Sequence, residues 1–164
     1  MKISRKISLI ALAMLLFVTS VAANPYQVKQ YLYLGQAATL SLGRMGVSYL
    51  GNYREGTASL TRWSKGPLYH STELSFRRDM AYTRFTDTTG YNLRVVLGAV
   101  YVFFDLTNIE ARNWNKGLVA IYYYHDATTT WKKCTTFKVA GFGYPMRVAC
   151  RMTEYGLYAL GTRR

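Results

Sequence analysis

The chain has 164 residues, 21 Lys and Arg against 8 Asp and Glu, a formal net charge of +13, and half of its residues are hydrophobic. That length fits one domain with its own core, and so few acids leave a two-carboxylate glycosidase few pairs to use. The cationic excess favours anionic partners and argues against an inhibitor of a cationic enzyme, because like-charged surfaces repel.

The first element is an export signal. Lys2, Arg5 and Lys6 precede an uncharged apolar run over 7–18, then Val21-Ala22-Ala23 and Asn24-Pro25. That order predicts a signal peptide over 1–23, cleaved after Ala23, and a secreted or cell-envelope location; the other reading is an N-terminal anchor. No later stretch is apolar and long enough to span a bilayer as a helix. Cleavage removes three cations and no acid, leaving 18 basic and 8 acidic residues over 24–164, a net of +10. With no linker or repeat, 24–164 reads as a single domain.

Tyr, Thr, Val and Phe dominate that domain, a composition that favours strands. Strands are expected at 31–42, 57–63, 72–78, 81–86, 91–105, 117–124, 131–139, 145–153 and 156–160. Turn residues separate them at Gly51-Asn52, Lys65-Gly66-Pro67, Asp87-Thr88-Thr89-Gly90 and Asn115-Lys116-Gly117. The apolar stretch 95–106 reads as a central strand buried on both faces, with Gly98 as a break point. Within "DLTNIEARNW", Thr107 stands three residues before Glu110, the spacing of a capping box. It predicts at most one short helical turn or two there, against a plain loop. Many short strands at this spacing give the expected fold class, an all-β antiparallel β-sandwich.

Cys134 and Cys150 are the only cysteines, sixteen positions apart. His70 and His125 are not at metal-ligand spacing to them, so no metal is expected, and a redox couple would hold its thiols closer in sequence. A disulfide fits an exported chain. With a hairpin loop centred on Phe142, paired positions sum to 284, which sets Cys134 opposite Cys150. The same register puts Cys134, Thr136, Val148, Cys150 and Met152 on a core face. It puts Lys133, Phe137, Arg147, Ala149 and Arg151 on the other, with Lys133 opposite Arg151 and Trp131 at the end. The candidate ligand-binding residues are therefore Trp131, Lys133, Phe137, Arg147 and Arg151. They read either as a grip on an acidic glycan or as a solvated edge whose cations block sheet-to-sheet aggregation.

No nucleophile–base–orienting set emerges, and no catalytic residue or cofactor is expected. His70, Ser71, Glu73 and Asp79 lie close in sequence, but no nucleophile-elbow glycines surround Ser71. His125-Asp126 reads as a strand end entering a polar loop. Trp63, Trp114, Tyr122, Tyr124 and Trp131 are candidates for a sugar-stacking platform, with Tyr122 and Tyr124 on one face by alternation; aromatics also fill β cores.

Residues 100–161 carry an apolar strand, a short polar helical turn, "GLVAIYYY", a tryptophan opening the next strand, and a closing "EYGLYAL". This run resembles the end of secreted bacterial β-sandwich domains of the ZU5-like kind. The resemblance covers about two fifths of the chain and rests on core patterns rather than chemical ones. It implies an immunoglobulin-like antiparallel sandwich with a scaffold or interaction role. Autoproteolytic relatives carry His-Phe-Ser before the last strand; Glu154-Tyr155-Gly156 stands there instead, so self-cleavage is not expected. The functional expectation is a secreted non-catalytic module, an extracellular scaffold or interaction domain. The alternatives are a binding module for acidic glycan or another anionic surface polymer, and a small secreted hydrolase. The expected partners are an anionic polymer or another secreted protein.

Overall fold

The computed structural model describes residues 26–52, 54–64, 73–77, 79–141, 143 and 145–164. The signal peptide, the turn at Lys65-Gly66-Pro67, His70, Ser71 and the loop centre Phe142 lie outside the described residues. No helix among the described residues is long and apolar enough to cross a membrane.

The protein is all-β, built from two antiparallel sheets. In chain order the strands are β1 (Gln27–Leu32), β2 (Ala38–Leu42), β3 (Met45–Asn52), β4 (Gly56–Trp63), β5 (Leu74–Phe76), β6 (Met80–Asp87), β7 (Asn92–Leu93) and β8 (Gly98–Asp105). The helix α1 (Asn108–Asn115) follows, then β9 (Val119–His125), β10 (Thr130–Lys133), β11 (Thr136–Lys138), β12 (Arg147–Arg151) and β13 (Leu157–Arg163). The larger sheet runs β1-β4-β6-β13-β9-β10, with β5 on β13 and β7 on β6. The smaller runs β11-β12-β8-β3-β2.

Alternation decides what each strand buries. From the smaller sheet Leu40, Leu42, Met45, Val47, Tyr49, Val100, Val102, Phe104, Val148 and Cys150 enter the main core. Val28, Leu32, Ala58, Leu60, Ala81, Phe85, Val119, Ile121, Tyr158 and Leu160 meet them from the larger sheet. The inward set Val148, Cys150 and Met152 is as alternation predicts.

Four expectations change. The run 31–42 is two strands in different sheets, because a turn at Gly35 (φ +76°), closed by the Gln36 amide donating to the Tyr33 carbonyl at 3.0 Å, carries the chain between layers. The run 131–139 likewise divides after Lys133, β10 ending in the larger sheet and β11 starting in the smaller. The run 91–105 divides into β7 and β8, with Gly98 (φ +118°) opening β8; β8 is central in its sheet, but Val95 is 59% exposed. Strand β3 was not expected: Met45, Val47 and Tyr49 point inward and Gly46, Ser48 and Leu50 outward, and Gly51-Asn52 is an irregular strand end rather than a separating turn.

Helix α1 is longer than a single turn. The Thr107 hydroxyl accepts from the Glu110 amide at 3.2 Å while the Glu110 carboxylate accepts from the Thr107 amide at 2.7 Å, a complete capping box. Gly117 (φ +73°) supplies the left-handed residue that ends it, so the expected turn there is a helix C-terminus. The turn at Asp87 is as expected, with the Asp87 carboxylate accepting from the Thr89 and Tyr91 amides.

Cys134 and Cys150 form a disulfide with Cα atoms 6.1 Å apart. Its register differs from expectation. Thr136, not Cys134, faces Cys150, so pairs sum to 286. The reason is the crossover: the Cys134 amide still donates to Ile121 O in β9 of the larger sheet at 2.8 Å. Cys150 lies in β12 of the smaller sheet, so the bond joins the two layers rather than two rungs of one hairpin.

Candidate functional site

That crossover also separates the five candidate ligand residues. Trp131 and Lys133 on β10 stand opposite Tyr124 and Tyr122, on the outward face of the larger sheet. Phe137, Arg147 and Arg151 stay on the outward face of the smaller sheet. Lys133 therefore does not face Arg151, whose partner position is Tyr101 on β8. The like-charge pair does not form. Trp131 is buried, stacked on Phe76 with centroids 4.8 Å apart. Arg147 makes two bonds to the Asp105 carboxylate, at 2.7 and 2.9 Å, and its guanidinium lies 3.8 Å from the Phe103 ring centroid. A charge so neutralised fixes structure more than it attracts a ligand.

The larger sheet's outward face gathers aromatics from five strands. Tyr122 and Tyr124 share this face, as alternation in β9 predicts. Tyr124 meets Trp131 edge-on at 5.5 Å, Phe76 meets Tyr122 at 5.5 Å, and Trp63 packs on Tyr82 at 5.1 Å. Gly161 makes the close packing possible: a Cβ there would come 2.7 Å from the Tyr122 ring and 3.0 Å from Phe76. Met80, Leu157, Ala159 and Trp131 form a small second core beneath these rings. Of the five stacking candidates, Trp114 alone is elsewhere, on α1 and packed against the main core.

Between Trp63–Tyr82 and Tyr124 the surface sinks into a depression of about 510 Å³, with Arg84, Asn92 and Asp126 among its polar lining. Trp63 remains 41% exposed beside it. The floor is fixed by Thr83, whose amide and hydroxyl both donate to the Gly156 carbonyl, at 2.8 and 3.0 Å, while its oxygen accepts from the Gly156 amide. Next to it Tyr155 stacks on Phe85 at 5.8 Å, and burial pushes its phenol pKa up to about 12. Tyr49, to which it is hydrogen-bonded, is also pushed up, chiefly by burial. Arg84 lies 5.8 Å from the Tyr82 ring centroid. The result is a preformed, shallow, ring-walled site with hydrogen-bonding groups at its edge. Sequence reading missed Tyr82, Arg84, Asn92 and Asp126. The alternation in "MAYTRFTD" puts Tyr82 with Arg84 on one face, but only the order β6-β13-β9 brings them beside Tyr124.

On the smaller sheet a second groove, about 430 Å³, runs between Leu50 and Phe137 over Tyr101 and Phe103. At the tip of the β9–β10 hairpin, His125 Nδ1 lies 3.0 Å from Thr128 Oγ1, which is 2.7 Å from Thr130 Oγ1; Nε2 is 3.8 Å from Glu154. These contacts close the turn, and β9 ends at His125 before a polar loop, as expected. Among the described residues no three His, Cys, Asp or Glu stand together as a metal site. Every carboxylate ion pair found among the described residues is with arginine or His125 and none with lysine. No protein-family model matches this chain, and no curated protein or solved structure matches it either.

Proposed function

We propose that the chain is a secreted, non-catalytic β-sandwich module that works by binding, and that it takes an anionic glycan on the outward face of its larger sheet. The observation that carries this reading is the ring-walled depression between Trp63–Tyr82 and Tyr124. A sugar ring offers an apolar C–H face to stack on an aromatic and equatorial hydroxyls for a polar rim, and this site has both. Arg84 and the net charge of +10 over residues 24–164 supply the attraction to an acidic chain. The basic-then-apolar start at Lys2, Arg5 and Lys6 supports export, and the disulfide fits an oxidising compartment. Two core-sharing antiparallel sheets support the sandwich and the ZU5-like resemblance of 100–161.

The test is retention of the protein on immobilised polysaccharides. Binding to acidic polymers that persists in part at high salt, where a purely ionic contact is screened, is expected. Absence of retention on any polysaccharide at low salt removes the reading. N-terminal sequencing of exported protein is expected to begin at Asn24.

A second reading is a scaffold or interaction domain acting through the smaller sheet. Leu50, 65% exposed, and Phe137, 42% exposed, flank its apolar groove and favour it. Loss of partner capture in Phe137→Ala, with polysaccharide binding intact, would separate the two. The hydrolase alternative requires His70, and unchanged turnover of a candidate substrate in His70→Ala would dispose of it.

A further inference from the structure

The depression in the larger sheet exists because β13 starts late. Gly156 carries no side chain, its φ is +151°, and Tyr155 before it packs inward against the main core and Phe85. Just past Leu157 the outward layer therefore lacks a side chain, and the gap lies between β6 and β9. Leu157 pairs with Tyr82 on β6; on its other side Tyr158 pairs with Tyr123, which sets Leu157 beside Tyr124. Tyr82 and Tyr124 thus stand two strand spacings apart, about 10 Å, with Leu157 buried between them as the floor. Trp63 braces the first ring and Trp131 the second.

Two charges of opposite sign border this gap, Arg84 on β6 and Asp126 in the turn after β9. Neither is neutralised. Six of the eight carboxylates hold an ion pair, those of Glu73, Asp79, Asp87, Asp105, Glu110 and Glu154. Asp126 does not, although the domain carries ten cations in excess. Among the described residues only its carbonyl is used, accepting from the Thr129 amide at 3.3 Å. The Arg84 guanidinium likewise has no carboxylate partner there and rests against Tyr82, whose hydroxyl is 3.5 Å from Nη2. A wholly anionic ligand accounts for Arg84 and is opposed by Asp126. A wholly cationic one is opposed by Arg84 and by the charge of the domain. A ligand bearing both signs satisfies both walls. Its acid group pairs with the guanidinium, and an ammonium group lies against the carboxylate between two tyrosine faces, where the ring quadrupoles add to the attraction.

We infer that the unit held in this depression is zwitterionic, a glycan unit with an acid group at Arg84 and a free, unacetylated amine between Tyr82 and Tyr124 at Asp126. The inference rests on the glycan reading above and narrows it to glycans that carry free amines as well as acid groups. Arg84 orients the unit and Asp126 selects for the amine.

Isothermal titration calorimetry on protein isolated from cells expressing the full chain compares hyaluronan oligosaccharides with the same oligosaccharides after partial N-deacetylation. Each amine uncovered cancels part of the ligand's negative charge, so a contact made by net charge alone would weaken. The deacetylated form is instead expected to bind the parent about tenfold more tightly. Asp126→Asn, at an exposed position with no side-chain bond to lose, is expected to keep the fold and abolish that preference. It is expected to bind hyaluronan itself as tightly as the parent or more so. Equal binding of the two forms by the parent, or an equal loss for both in Asp126→Asn, overturns the inference and leaves the glycan reading standing. No heat with either form also overturns it; the glycan reading falls as well only if no polysaccharide retains the protein. Binding to phosphatidylcholine vesicles that Asp126→Asn abolishes, with no preference between the two glycan forms, would assign the zwitterion to a lipid headgroup and overturn the glycan.

Discussion

Replacing Cys134 and Cys150 together by alanine removes the covalent tie between the larger sheet at β9–β10 and the smaller sheet at β12. The bond closes a loop with a sequence separation of 16, for which chain entropy gives about 3 kcal/mol. Cys150 is fully buried in the main core, so losing its sulfur adds about 1 kcal/mol of lost packing. A total of about 4 kcal/mol lowers the midpoint of a domain this size by roughly 8–16 °C. Differential scanning calorimetry of the parent and double variant measures the shift, and the parent in reductant is expected to fall nearly as far. Hydrogen exchange then distinguishes where the tie acts. Because the bond joins layers, its loss is expected to deprotect the Cys134 and Ile121 amides, which bond across the crossover to Ile121 O and Thr136 Oγ1. A midpoint within about 2 °C of the parent, or deprotection confined to β11 and β12, would refute the interlayer placement.

Gly46→Val is expected to destabilise by about 3 kcal/mol, read from the urea midpoint, because a Cβ there would stand 2.1 Å from the Phe103 ring and 2.6 Å from the Leu40 carbonyl. Thr107→Ala removes the hydroxyl half of the α1 capping box and is expected to cost about 1 kcal/mol in the same assay. Acid stability follows from Glu110. Burial opposes its ionisation, but the Arg77 bond and the Thr107 amide outweigh it and hold the carboxyl below the ordinary glutamate range. Asp87 is held low as well, first by the Thr89 hydroxyl. A carboxyl depressed in the folded state stabilises above its unfolded value. The urea midpoint is therefore expected to be flat at neutral pH and to fall from about pH 5 downward, with Glu110→Gln flattening that limb.

Strand composition, the capping box and the cysteine pair could be read from residues because each is a local or two-body signal. Thr107 and Glu110 are three apart, and nothing distant is needed to form their bonds. The layer changes were hidden because alternation continues through them. "WKKCTTFKV" keeps its period across Cys134, so one hairpin is a sufficient account until the Cys134 amide is seen bonded to β9. That crossover put Lys133 and Trp131 in the larger sheet, off the face of Arg147 in the smaller. Strand β3 was masked by Gly46 and Gly51, residues that weaken a strand pattern locally. Gly46 is explained by Phe103, which lies beside it on the neighbouring strand, and by the Leu40 carbonyl. The same holds for the depression at Trp63: Tyr82 and Tyr124 meet there because β13 lies between their strands, and sequence spacing carries no trace of it.

Affinity electrophoresis through gels containing an acidic polysaccharide, run with the parent, Trp63→Ala and Phe137→Ala, addresses the aromatic face of the larger sheet most directly. Trp63 borders the depression and Phe137 lies on the other sheet, and both side chains are partly exposed, so either truncation leaves the core intact. Retardation of the parent is expected, with affinity about tenfold weaker in Trp63→Ala and unchanged in Phe137→Ala. Equal retardation of the parent and Trp63→Ala, or loss in Phe137→Ala instead, would contradict a glycan site on that face.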